Sequence, residues 1–150
     1  MAAASAGGER QSGKSNQGEG AALRVLVDTH TLLWWMGGDR RLSARARGIL
    51  EDAAHYRSVS IVSLWEVAIK ISLGKLPSYG LTVTRISEEL KQQRFALIPV
   101  RLEDLVRIEK LPWLHRDPFD RLLIAQAQED NIPLLTSDAQ ILRYPVQTIW

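Results

Sequence analysis

The sequence predicts an α/β fold with a mostly parallel central sheet flanked by helices. Three observations carry that prediction. Short apolar, β-branched runs at 23–27, 95–98 and 132–135 read as buried strands. Segments with helical periodicity and recognisable caps lie between them. The alternation itself demands crossover connections, which favour parallel pairing.

In chain order, residues 23–27 form the first strand, followed by a helix over 29–36 that Gly37 and Gly38 stop. Ser43 caps a second helix reaching about residue 54, and 57–60 forms a short strand. Ser63-Leu64-Trp65-Glu66 reads as a capping box opening a helix to about residue 73, ended by Gly74. A helix over 82–93, a strand over 95–98 and a helix over 102–109 follow. Asp117 at the N-cap and Pro118 at the first helical position open a helix to about residue 130. The strand at 132–135, a short turn capped by Asp138 and a last strand at 146–150 complete the order.

A chain of 150 residues suits a single domain with a proper core. Hydrophobic residues at 45% and charged residues at 24% match an ordinary globular protein. No apolar run is long enough to span a membrane, and no signal-peptide pattern opens the chain, so a cytoplasmic location is expected. The absence of cysteine excludes disulfides and thiolate metal sites. The net charge of +2 permits nucleic-acid binding without requiring it. Arg40, Arg41, Arg45 and Arg47 crowd one stretch, either a solvated helix face or a phosphate-contacting patch.

Residues 1–22 are rich in Gly, Ala, Ser and Gln, lack hydrophobic periodicity and are expected to be disordered; residues 23–150 form the domain. Within the leader, Gly8 through Ser15 formally matches a phosphate-binding loop, but no strand precedes it and no helix follows, so the match carries no function.

Asp120 is the most informative residue. It falls in the first turn of its helix, in line with Ile124 and Ala127 on the apolar face. Asp117 shares its azimuth with Arg121 and Gln128, on the expected solvent side. A carboxylate on a buried face needs a cation or several hydrogen bonds. Asp28 ends the first strand, Asp138 follows the strand at 132–135, and Glu66 lies in the first turn of its expected helix. In open α/β sheets such positions face one crevice, so the four acids can converge. Converging carboxylates attract a hard divalent cation such as Mg²⁺ or Mn²⁺. Each acid also has a local reading: a cap for Asp28 and Asp138, a capping box and a Lys70 pair for Glu66, a helix-dipole partner for Asp120.

The segments Val25-Leu26-Val27-Asp28-Thr29, Ser63-Leu64-Trp65-Glu66, His115-Arg116-Asp117-Pro118-Phe119-Asp120-Arg121 and Leu134-Leu135-Thr136-Ser137-Asp138 together resemble the acidic motifs of PIN-domain ribonucleases, in the family's order. The nearest group is the VapC-type toxins of type II toxin–antitoxin systems. The resemblance covers about residues 23–150 and implies a three-layer PIN-like fold. It also implies that Asp28, Glu66, Asp120 and Asp138 are catalytic residues that bind Mg²⁺ or Mn²⁺ in a metal-dependent endoribonuclease. It implies an RNA substrate, a cognate VapB-type antitoxin and a homodimer. Under it, Arg121 and Thr136 are candidate substrate-binding residues: Arg121 and Arg116 as phosphate contacts, Thr136 and Thr29 through hydroxyls that position a water or a carboxylate. The local alternatives are an ion pair with Asp117 for Arg121 and capping for the two threonines. His30 and His115 read as structural or hydrogen-bonding groups; Trp34, Trp35, Trp65 and Trp113 can supply apolar surface for the dimer or antitoxin contact, with core packing the default.

Two other folds, one an enzyme and one not, also place acids at strand ends. A haloacid-dehalogenase-like phosphatase needs a second Asp at the position of His30, and a phosphoacceptor receiver needs a late lysine after a strand. A catalytically inactive PIN-fold binding module is the remaining alternative; the presence of all four acids argues against it.

Overall fold

The computed structural model describes residues 20–76 and 80–150. The leader up to residue 19, with its phosphate-loop match, lies outside the described residues. Five strands, β1 (Arg24–Val27), β2 (Tyr56–Ser60), β3 (Ala96–Ile98), β4 (Leu134–Leu135) and β5 (Thr148–Ile149), form one sheet in the order β3-β2-β1-β4-β5. All four pairings are parallel, with Leu26 beside Leu134 and Ser58 beside Ala96. Six helices cover it: α1 (Thr29–Gly37), α2 (Ala44–Glu51), α3 (Ile61–Ser72), α4 (Val83–Gln92), α5 (Leu102–Lys110) and α6 (Pro118–Asp130). None of these helices is long and apolar enough to cross a membrane.

The strand period of two sorts β1 between two cores. Val25 and Val27 join the core built from α1, α2, α3 and α4, whereas Leu26 joins the one built chiefly from α6. The result is the expected three-layer sandwich, with β1 buried on both faces.

Several boundaries differ from the sequence reading for local reasons. Helix α3 starts at Ile61, because Ser60 is its N-cap and accepts from Val62 N–H. The apparent capping box at Ser63 is therefore internal, and Glu66 sits in the second turn. Helix α2 stops at Glu51 because Asp52 Oδ1 and its carbonyl accept from the N–H groups of Ala54 and His55. Ile132 is not in a strand. Its N–H closes α6 on the Ala127 carbonyl after Asn131 turns left-handed at φ 52°.

Arg57 on β2 is 2% exposed. Its guanidinium donates to the carbonyls of Leu50 and Gln93 and lies 4.2 Å over the Phe95 ring. It thereby satisfies carbonyls at the C-terminal ends of α2 and α4, where a helix leaves acceptors without partners.

Candidate metal centre

Strand β1 sits at the point where the strand order reverses: β2 follows it on one side and β4 on the other. Ligands of open α/β sheets bind at such a point, beyond the strand C-termini. Asp28 follows β1 there and Thr136 follows β4. Thr136 Oγ1 donates to Asp28 Oδ2 at 2.9 Å and accepts from Asp138 N–H at 3.1 Å. One hydroxyl thus links both strand ends. Asp28 occupies the N-cap position of α1 but makes no side-chain cap hydrogen bond, and its Oδ1 is buried without a partner.

Helix α6 supplies Asp120, which is 3% exposed in line with the fully buried Ile124. The Asp117 carboxylate caps the same helix, accepting from the N–H groups of Phe119 (2.8 Å) and Asp120 (3.2 Å). Helix α3 contributes Glu66, paired with Lys70 at 3.2 Å one turn on. Ligand atoms of Glu66, Asp117 and Asp120 lie within 4.8 Å of one another, as do those of His115, Asp120 and Asp138. Asp120 is common to both groups.

This crowding shows in the proton affinities. Burial, then the Asp120 charge, pushes Asp28 from 3.8 up to about 7, with the Thr136 hydrogen bond working the other way. Burial raises Asp120 to about 6; Asp117, Asp138 and Glu66 add to the rise, and His115, with Nε2 at 2.7 Å from Asp120 Oδ2, opposes it. A buried carboxylate oxygen without a donor, on a carboxyl that feels the charges of Asp120 and Asp138, is an environment that a hard divalent cation with oxygen ligands would relieve. The residues present fit such an ion.

Other expected site residues have different surroundings. Arg121 is not on the solvent side. It is 3% exposed, and its guanidinium donates to the carbonyls of Leu111, Pro112 and His115 and to the Tyr144 hydroxyl. The loop 111–115 folds over the face that helical periodicity leaves to water. The Thr136 hydroxyl is buried and committed to Asp28, while Thr29 Oγ1 donates to Ser63 Oγ at 2.8 Å. Arg116 is exposed. In the arginine-rich stretch, Arg41 pairs with Asp39 at 2.7 Å and Arg47 with Glu51 at 3.7 Å, so local acids offset part of that charge. Trp34 and Trp35 pack on the core as expected. Trp65 and Trp113 instead are largely exposed, each stacked on a neighbour, Phe119 and Arg121 respectively. Sequence reasoning gave His115 a hydrogen-bonding role, which it has, but missed its place beside Asp120 and Asp138. A histidine five residues before a buried aspartate was the available signal.

Residues 25–147 match the model of the PIN domain. The chain belongs to the PIN domain family. The match sets aside the phosphatase and receiver alternatives. No curated protein matches the sequence. Among solved structures, this PIN domain is similar to a chain of VapBC2 from Rickettsia felis, bound to a DNA fragment from its promoter. That match has a TM-score of 0.63 and 14% identity, covering 85% of this chain and 98% of that one. A toxin–antitoxin complex from Klebsiella pneumoniae matches with a TM-score of 0.59 and 19% identity, covering 84% of this chain and 96% of the other. FitAcB from Neisseria gonorrhoeae matches with a TM-score of 0.57 and 16% identity over the same shares, 84% and 96%. At these identities the likeness is one of fold. In this PIN domain Asp120 is the common neighbour: Glu66 and Asp117 group with it on one side, His115 and Asp138 on the other, and its charge reaches Asp28.

Proposed function

We propose that the protein is a divalent-metal-dependent endoribonuclease of the VapC toxin type, restrained in the cytoplasm by a cognate VapB-type antitoxin. The observation that carries this reading is the buried, unpartnered Oδ1 of Asp28, a carboxyl exposed to the charges of Asp120 and Asp138, with Asp120 itself common to two groups of potential ligands. Nearly full coverage of proteins from toxin–antitoxin complexes supports the toxin assignment and the antitoxin partner. A homodimer is proposed on the family resemblance alone.

Asp28, Glu66, Asp120 and Asp138 would hold Mg²⁺ or Mn²⁺. Such a cation supplies an activated water and charge neutralisation at the phosphate during phosphodiester hydrolysis. The chain's own groups prepare the site. Thr136 orients Asp28 and ties the backbone of Asp138 to it. Lys70 holds Glu66 from the helix turn below. His115 orients Asp120 through its Nε2. Thr136 serves the substrate through Asp28 rather than by touching RNA. Arg116, exposed beside the site, is better suited than the occupied Arg121 to meet a phosphate.

The test is cleavage of a panel of structured RNAs by the purified full-length chain with Mg²⁺ or Mn²⁺. Wild-type protein is expected to cut. Asp28→Asn and Asp120→Asn, each sparing volume while removing charge, are expected to abolish cutting. Undiminished cleavage by both variants overturns the site assignment. The partner is tested in the neighbouring reading frame, which should encode a small DNA-binding protein that suppresses cleavage when co-expressed.

A further inference from the structure

Four polar groups converge on the hydroxyl of Tyr144, a residue 4% exposed. It accepts from the backbone N–H groups of Leu114 (3.1 Å) and His115 (2.9 Å) and from Arg121 Nη1 (3.1 Å). It donates to the Pro112 carbonyl at 2.8 Å. One proton and two lone pairs cannot serve four partners singly, so two of the donors share a lone pair. Arg121 reinforces the same stretch. Its Nη1 also donates to the Pro112 carbonyl at 2.9 Å and its Nη2 to that of Leu111 at 3.4 Å, while its guanidinium lies 4.0 Å from the Trp113 ring centre. Arg143 donates to the Leu114 carbonyl from the outside. A segment without helix or strand is thus fixed at almost every residue.

That segment delivers His115 to Asp120. Apolar packing alone does not call for this arrangement, because a phenylalanine would fill the place of Tyr144 in its hydrophobic cluster. We propose that Tyr144, together with Arg121, is a positioning residue that fixes His115 against Asp120 and so sets how that carboxylate meets a divalent cation. The inference rests on the metal-centre reading above. Hydrogen-bond partners of metal-ligating groups are known to change affinity by about ten- to a hundredfold when removed.

The experiment is a double-mutant cycle on the full-length chain, read as Mn²⁺ affinity by electron paramagnetic resonance, with RNA cleavage followed on the same samples. His115→Ala is expected to weaken Mn²⁺ binding about tenfold. Tyr144→Phe is expected to weaken it less, and the double variant no more than His115→Ala alone, because Tyr144 acts through His115. A tyrosine with only a structural role would leave affinity unchanged or add its loss to that of His115, and either result overturns the proposal. So does unchanged affinity in His115→Ala. Should Tyr144→Phe fail to fold, Arg143→Gln replaces it; the residue is exposed and holds the Leu114 carbonyl, and its loss of affinity should likewise vanish in the His115→Ala background. Wild-type protein that binds Mn²⁺ and cuts no RNA removes the nuclease reading, and the cycle still decides the role of Tyr144. Wild-type protein that binds no Mn²⁺ overturns both.

Discussion

A carboxyl group that is 2% exposed, with one oxygen lacking any donor, prefers to keep its proton. Burial raises Asp28 to about 7 and Asp120 to about 6, against 3.8 for an ordinary aspartate carboxyl. Between those values the folded chain holds more protons than the unfolded one. With a chelator present, stability should therefore fall as pH rises from about 4 to about 7 and level off above that, as far as these two groups are concerned. A divalent cation competes with those protons. The rise in melting temperature on adding Mn²⁺ should be larger at about pH 8 than at about pH 5. Thermal melts at both pH values, with EDTA and with Mn²⁺, check this; equal gains would count against cation binding at these acids. Asp28→Asn carries no titratable proton at that position, and its stability in EDTA should decline less over the same range.

At the scale of elements, two side chains hold helix ends together. Asp117 caps α6, a role that asparagine fills equally well. Asp117→Asn should keep unfolding stability within a few tenths of a kcal/mol, whereas Asp117→Ala should lose about 1 kcal/mol. The same pair separates capping from ligation. If Asp117 serves only as the cap, Asn leaves Mn²⁺ affinity close to wild type; a large loss would make it a ligand. Arg57 closes the ends of α2 and α4 from β2. Arg57→Met keeps much of the volume but leaves the Leu50 and Gln93 carbonyls without their donor, and should cost about 2–4 kcal/mol in denaturant unfolding. A change below about 1 kcal/mol would show that water or backbone adjustment replaces it.

Such features mark what the sequence could and could not convey. Asp120 was legible because Ile124 and Ala127 repeat along one face of a single helix. Asp28 was legible because an apolar strand ends in it. Arg121 was misread for the opposite reason. Its azimuth is that of a surface residue, and only a distant tyrosine and a folded-over loop, contacts that periodicity does not encode, make it internal. Ser63 reads as a cap because it stands three residues before Glu66; Ser60 competes for the role, and the strand runs straight into the helix to favour it. His115 stayed outside the predicted set because its proximity to Asp120 depends on that same loop; Asp117 stayed outside because its capping role already accounts for it, although that cap also places its carboxylate near Asp120 and Glu66.

Over the whole molecule, the parallel sheet concentrates the chemistry at one end. Mn²⁺ should accordingly slow amide hydrogen exchange at the C-terminal ends of β1 and β4 and the first turns of α6, and have much less effect around α5 and the opposite end of α6. Uniform protection would indicate only a global rise in stability. The hydrogen bond from Thr136 to Asp28 joins residues 108 positions apart. A ribosome makes Asp28 well before Thr136, and non-local strand pairing waits for both. A growing chain that has not yet released β4 from the exit tunnel carries Asp28 without its hydroxyl partner and without Asp138. Under the proposed function, a nascent chain would thus stay harmless to RNA until β4 has paired beside β1, however early Asp28 is made.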